Sequence, residues 1–343
     1  MRLASLGCLA VVGCGRVAFD PLTDASAPVD TRTAYDGANR IFATQASWTG
    51  ALGGLAGADE TCAATAAQAG LVGDFVALLN TDMMPVGQRL SGSRGWVDLA
   101  GTPIADLSSD FDMNRTLYPI RVDQAGAVVT VPLWFGGPTT THCDNWTNGT
   151  AARSGIVVMP TSSLAWSTPR NGSCVQQFHL ICAERGRVVP VPPPAETGRI
   201  AFVTETLWFG NDGLAGADAL CATEATAAGL PGTFRAWLGS SAGGPDARFS
   251  TTGEPWRRVD GPRLAPTAAA FLTGDPLTTF ANRTAQGAVV STNTWTGADG
   301  QHCSDWTGAG NGTVGNPGSI GSERRAAFAQ LCGLPNAVLC LEL

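Results

Sequence analysis

The chain contains the same unit twice. Residues 55–62 (LAGADETC) return as 214–221 (LAGADALC), an offset of 214 − 55 = 159, and residues 70–75 (GLVGDF) return as 229–234 (GLPGTF) at the same offset. Trp96 matches Trp256, residues 126–129 (GAVV) match 287–290, and residues 142–146 (HCDNW) match 302–306 (HCSDW). These landmarks keep one order, so they are an inherited duplication. A period near 160 makes each copy domain-sized, which excludes a solenoid of short stacked repeats. The division this implies is a first domain over 39–183, a linker over 184–198 and a second domain over 199–343. Four of the five residues from 190 to 194 are Pro. Such a run favours the stiff polyproline II conformation, so the copies are expected to stand apart on a semi-rigid spacer.

The cysteines follow the same division. Of ten, two lie near the N-terminus and four fall in each copy: Cys62, Cys143, Cys174 and Cys182, then Cys221, Cys303, Cys332 and Cys340. An even set per domain implies two disulfides each in an exported protein, and spacing alone leaves three pairings open. The wide separation, with no tight Cys-x-x-Cys pair, disfavours a metal centre. Each copy opens with an extended segment (residues 41–44 and 201–204). An Ala-rich helix over 58–69 or 217–228 follows, ended by Gly70 or Gly229, with Asp59 and Asp218 expected in a first turn that favours anions. Short strand-like runs and long loops come after, giving an α+β layout of one main helix and short antiparallel strands.

Residues 1–14 (MRLASLGCLAVVGC) carry one Arg, an apolar stretch and a small residue before Cys14, the pattern of an export signal. The Gly13-Cys14 step resembles the lipobox of bacterial lipoproteins, which implies acylation of Cys14 and a membrane anchor, and by the same resemblance Gly15, rather than Asp, after Cys14 points to the outer membrane of the cell envelope. Residues 15–38 are polar and aperiodic, expected to form a flexible tether. The chain has 44% hydrophobic residues, 14% charged residues and net charge −7, and its 21 basic residues are all Arg. That acidic balance argues against nucleic acid as a partner.

The helix motif ending in Cys, the Gly-Leu-x-Gly-x-Phe strand entry, Cys-x-x-Trp (Cys143 to Trp146, Cys303 to Trp306) and the Cys-x7-Cys ending together resemble the endostatin-like branch of the C-type-lectin-like fold. They resemble still more closely the bacterial lipoprotein domains of unknown function related to it. The resemblance covers residues 40–183 and 199–343 and implies nested disulfides, Cys62–Cys182 around Cys143–Cys174 and Cys221–Cys340 around Cys303–Cys332. The chain departs from endostatin in two respects. No His precedes His142, so the N-terminal zinc site is missing, and each copy is acidic (7 Arg against 10 acids, 9 against 12), unlike a heparin binder. The trio Arg257, Arg258 and Arg263 reads as a solvated face.

Catalytic signatures do not emerge. His142 and His302 stand beside Cys residues and read as structural, and no nucleophile elbow, phosphate loop or HExxH motif occurs. No catalytic residue and no resident cofactor is therefore assigned. The candidate ligand contacts are Trp146 and Trp306, for stacking, and Asp144 and Asp305, whose hard oxygens would suit calcium. The expectation is a lipid-anchored surface protein, non-catalytic, binding or adhering to an extracellular protein or glycan, with a calcium-dependent lectin as the alternative and an enzyme behind both.

Overall fold

The computed structural model describes residues 35–136, 141–163, 170–274 and 276–343. The signal segment, Cys14 and the tether up to residue 34 lie outside them. Among the described residues no helix is long and apolar enough to cross a membrane.

The first copy builds strands β1 (Asn39–Trp48), β2 (Asp74–Ala77), β3 (Arg94–Asp98), β4 (Pro103–Leu107), β5 (Leu133–Trp134), β6 (Ser154–Val158), β7 (Arg170–Ser173) and β8 (Phe178–Arg185). They join in the order β4-β3-β1-β8-β5-β6-β7, with β2 also on β8. The second copy builds β9 (Arg199–Val203), β10 (Phe234–Ala236), β11 (Trp256–Arg258), β12 (Thr294–Trp295), β13 (Asn311–Gly315), β14 (Phe328–Leu331) and β15 (Ala337–Glu342), ordered β11-β9-β15-β12-β13-β14 with β10 on β15. The two sheets share one topology, mixed in direction. The first strand of each copy pairs antiparallel with the last and parallel with the strand carrying Trp96 or Trp256. Only β4 has no counterpart. The fold is α+β with few helices and two sheets.

Side-chain alternation explains how each sheet buries both faces. Ile41 and Ala43 enter one core with Trp96 and Phe111, while Phe42 between them enters a second core under helix α1 (Gly54–Gln68). The second copy repeats the arrangement: Ala201 and Val203 face Trp256 and Phe271, and Ile200 and Phe202 face helix α2 (Gly213–Ala227). Within α1, Ala58, Cys62 and Ala66 form the buried stripe, so small side chains let the helix lie close to the sheet.

The helices start earlier than the Ala-rich run suggests, at Gly54 and Gly213, which moves Asp59 and Asp218 out of the first turn. They act instead as braces. Asp59 accepts the backbone N–H of Ala77 at 2.9 Å and pairs with Arg89 at 2.6 Å; Asp218 does the same with Ala236 (2.9 Å) and Arg248 (2.6 Å).

All four disulfides have the nested pairing: Cys62–Cys182 and Cys143–Cys174, then Cys221–Cys340 and Cys303–Cys332, with Cα separations of 5.4–5.6 Å. Each outer bridge ties the helix to the last strand at the centre of its sheet.

Two expectations fail. The stretch expected to be tether up to residue 38 is packed from residue 35 on: Tyr35 donates to the Pro192 carbonyl at 3.0 Å, and Ala38 is buried with Val97 and Val191. Nor do the copies stand apart. The spacer is fastened to the first copy: Arg94 N–H donates to the Arg187 carbonyl, and Val191, fully buried, donates its N–H to Asp106 at 2.7 Å. Direct bonds then join the copies. Arg283 donates to the Arg115 carbonyl at 3.3 Å, Thr279 to the Leu117 carbonyl, and Ile320 N–H to the Thr161 carbonyl at 2.8 Å. A stiff Pro-rich segment lowers the entropy lost on docking, and here that rigidity holds the copies against each other.

Candidate functional site

The residues singled out from the sequence sit on a repeated left-handed turn. Cys143, Asp144, Asn145 and Trp146 have φ of 51°, 52°, 55° and 67°, and Cys303, Ser304, Asp305 and Trp306 have 53°, 51°, 55° and 63°. Left-handed backbone costs a non-glycine residue about 1–2 kcal/mol, so four in a row require strong external fixing. Trp146 N–H bonds the His142 carbonyl and Thr147 N–H the Cys143 carbonyl, so the turn closes like one turn of a mirror-image helix. The His142 ring accepts the Asn145 N–H at 2.8 Å through Nδ1, the disulfide holds Cys143, and the Trp146 indole donates to the Asn80 carbonyl at 2.8 Å. Gly155 and Gly312 pass so close that a Cβ would stand 2.8 and 2.7 Å from the Trp134 and Trp295 rings.

This geometry corrects the stacking assignment. Trp146 and Trp306 are both 0% exposed, enclosed by Trp134 and by Trp208 and Trp295, so neither ring face is open to a ligand. Asp144 and Asp305 remain near the surface but hold the turn: Asp144 bonds Arg153 and Asn148, and Asp305 bonds the Ser241 N–H and hydroxyl, both at 2.6 Å. They are not equivalent positions either, because Asp305 matches Asn145 in the first copy. Among the described residues no group of three or more His, Cys, Asp or Glu is placed to hold a metal ion.

The concave site lies elsewhere, where the copies meet. A cleft of about 820 Å³ runs between the first copy's Asp106, Asp110, Asp112 and Arg115 and the second copy's Asp260, Arg283 and Gly287 turn. Its volume falls within the range of small-molecule sites, and a boundary between domains is a common place for one. The first wall is the short helix Ser109–Asp112, anchored by Phe111, whose ring packs edge-on against Trp96 at 5.3 Å. The second is the tight turn in which Thr284 N–H bonds the Ala288 carbonyl at 2.8 Å.

The electrostatics of the two walls differ. Burial pushes the Asp110 and Asp112 carboxyls above the ordinary carboxylate range, against backbone N–H bonds from Leu107 and Gly87. Asp106 is held below that range, first by its hydrogen bond to Arg94. Burial alone would raise Asp260, but Arg258 and Arg283 outweigh it and keep its carboxyl low. Burial and then Arg258 work against the charge on Arg283, with Asp260 opposing them. Arg258 belongs to this buried set with 1% side-chain exposure and pairs with Asp260 at 2.7 Å, so the solvated face expected for it is corrected. Asn114, at φ 56° and 4% exposed on the cleft wall, has neither its amide nitrogen nor its amide oxygen bonded. Sequence reading missed Asp110, Asp112, Asn114, Arg115 and Arg283. The available signal was divergence: Asp110 and Asp112 stand where the second copy has Ala270 and Leu272, and Arg283 where the first has Val122.

No family model matches the chain, and no curated protein matches its sequence.

Proposed function

We propose that this chain is an exported lipoprotein, acylated at Cys14 and anchored to the outer membrane of a bacterial envelope, that acts as a non-catalytic binding module. Its two disulfide-stapled copies are related to the endostatin-like branch of the C-type-lectin-like fold. The reading is that they hold their ligand, part of an extracellular protein or glycan, in the cleft between them. The observation that carries it is the cleft itself, whose walls hold charged groups that burial leaves poorly compensated. The cleft wall offers carboxylates, guanidinium groups and amides, which can take up the charges and hydrogen bonds of a ligand.

The test is an array of glycans and extracellular proteins probed with the full acylated protein in detergent micelles, with and without calcium chelator. Binding that is lost when Ser291→Trp, at an exposed position lining the cleft, crowds it, and that survives chelation, supports the reading. Binding unchanged by Ser291→Trp removes the cleft from it, and binding abolished by chelation returns the calcium-dependent lectin. Mass spectrometry of the mature N-terminal peptide tests the anchor, with an unmodified Cys14 overturning it.

A further inference from the structure

We infer that the cleft selects a zwitterion, an amino acid or a short peptide with both ends free, with its ammonium at Asp110 and Asp112 and its carboxylate at Arg115. This rests on the reading of the cleft as a binding site and adds the chemical class of what enters it.

The inference follows from which charges on the walls already have partners. Asp106 is paired with Arg94 at 2.7 Å, and Asp260 with Arg258 at 2.7 Å and Arg283 at 3.2 Å. Among the described residues Asp110 and Asp112 have no ion pair. Asp110 accepts only backbone N–H groups, from Leu107 at 2.8 Å and Asp106 at 3.2 Å, and Asp112 accepts only that of Gly87, at 3.0 Å. A half-buried carboxylate served by amides alone keeps its net charge and its capacity to bind a cation. Arg115 is the complement: its guanidinium is exposed, reaches Asp110 only through the field, and makes no ion pair among the described residues. Arg115 N–H bonds the Asp110 carbonyl at 2.9 Å, so the chain folds back and sets cation and anion sites side by side on one wall.

Asn114 lies between them in sequence. A buried side-chain amide lacking both a donor and an acceptor partner costs on the order of 1–3 kcal/mol per group, so its presence calls for a partner. A peptide unit offers both an N–H and a C=O, which the Asn114 amide, its two polar atoms closed to solvent as it stands, would meet on turning toward the cleft. Purely anionic ligands would face Asp110 and Asp112, and purely cationic ones would meet Arg115 and Arg283; a ligand carrying one charge of each sign avoids both penalties.

The experiment is isothermal titration of the full-length protein with unmodified dipeptides spanning small, apolar, acidic and basic side chains. Their N-acetylated and C-amidated forms follow. The expected result is binding of at least one free dipeptide, weakened tenfold or more by capping either end. Asp110→Asn and Asp112→Asn, which keep shape and the amide-accepting oxygen, should each weaken the free and amidated forms tenfold and leave the N-acetylated form unchanged. Arg115→Gln should do the reverse, sparing the amidated form. Melting temperatures no lower than the parent's identify these as effects on binding. Equal affinity for capped and free forms overturns the inference, as does a free-dipeptide affinity insensitive to all three variants. If dipeptides fail while the array yields a ligand blocked by Ser291→Trp, the charge assignment is wrong and the binding reading survives. If nothing binds in either experiment, both fall.

Discussion

The two copies carry one framework and two different surfaces. Apart from β4, the strand order recurs, and both disulfides, the left-handed turn and the Asp–Arg brace are repeated with it. The differences collect where the copies touch. Asp98 becomes Arg258, Val122 becomes Arg283, and Asp110 and Asp112 become Ala270 and Leu272. The first copy thus brings a carboxylate wall and free backbone carbonyls at Arg115 and Leu117. The second brings buried guanidinium groups and the Thr279 hydroxyl that donate to those carbonyls. What both copies keep is what a sheet with a covered helix needs. What only one has builds the contact and the cleft.

The largest effect should come from the shared staples, and it should be the same in both copies. Cys62–Cys182 and Cys221–Cys340 close 120 and 119 residues, while the inner bridges close 31 and 29. By chain entropy, replacing either outer pair with Ala costs about 5 kcal/mol, and either inner pair about 4 kcal/mol. Denaturant unfolding of the four double variants measures this. A strong inequality between the two outer pairs would show that one copy depends on the other for its stability.

The brace separates the copies by burial. Arg89 is 6% exposed and Arg248 17%, with Asp59 and Asp218 at 31% and 27%. Arg89→Met removes the more deeply buried guanidinium and should cost about 2 kcal/mol, while Arg248→Met should cost about 1 kcal/mol, after discounting for solvent at both sites. Urea titration of the two single variants compares them. Equal losses would mean that the different local settings, a helical turn at Val86–Arg89 and a 3-10 turn at Pro245–Arg248, matter more than exposure.

The duplication, the α+β layout and the presence of paired cysteines were legible in the sequence because each leaves a local trace: spacing, Ala content, an even count per copy. The nested pairing came from resemblance, and no local rule would have chosen it among three. The burial of Trp146 and Trp306 was not readable, since a Trp beside Asp and Asn in a loop-like segment looks exposed. Only the left-handed turn, fixed by His142 and the disulfide, swings the ring inward. The cleft was invisible for a different reason. It is assembled from Asp110, Asn114 and Arg115 of one copy and Arg283 of the other, and no spacing rule reports a contact over some 170 residues of chain. The Pro-rich run misled because its stiffness was legible but its docking through Val191 was not.

Acid should act in opposite senses on two sets of carboxyls, of which the raised set lies wholly in the first copy. Burial raises Asp98, Asp110 and Asp112, all in the first copy. An acid raised in the folded state is favoured when protonated, so these three groups add stability as pH falls from neutral through their raised values. Asp106, held low first by Arg94, and Asp260, raised by burial but held low by Arg258 and Arg283, work the other way. Their contribution is complete above the ordinary carboxylate value and is lost as pH falls through their depressed ones. Hydrogen exchange read copy by copy should show firmer protection around residues 104–117 in mild acid. In stronger acid the Arg258–Asp260–Arg283 contact should open. Loss of both regions together would mean that the copies unfold as one unit.

The smallest effect lies at the left-handed turns, where the copies exchange a carboxylate across the same gap. In the first, Asp82 bonds the His142 ring at 2.7 Å and the Asn145 amide at 3.3 Å; in the second, Ser241 occupies the place of Asp82, and Asp305 that of Asn145. The acid sits on the loop in one copy and on the turn in the other, and His142 holds the exposed Asp82 carboxyl below its usual range. Asp82→Ser alone removes the acceptor beside His142 and leaves Asn145 facing a hydroxyl. Adding Asn145→Asp rebuilds the second copy's arrangement inside the first. The single variant should melt a few degrees lower, and the double variant should return to within about 2 °C of the parent, the scale expected of an exposed charged contact. Failure of the second change to rescue the first would show that the turns, alike in backbone, are not interchangeable in their side chains. The identity of the copies would then stop at the main chain.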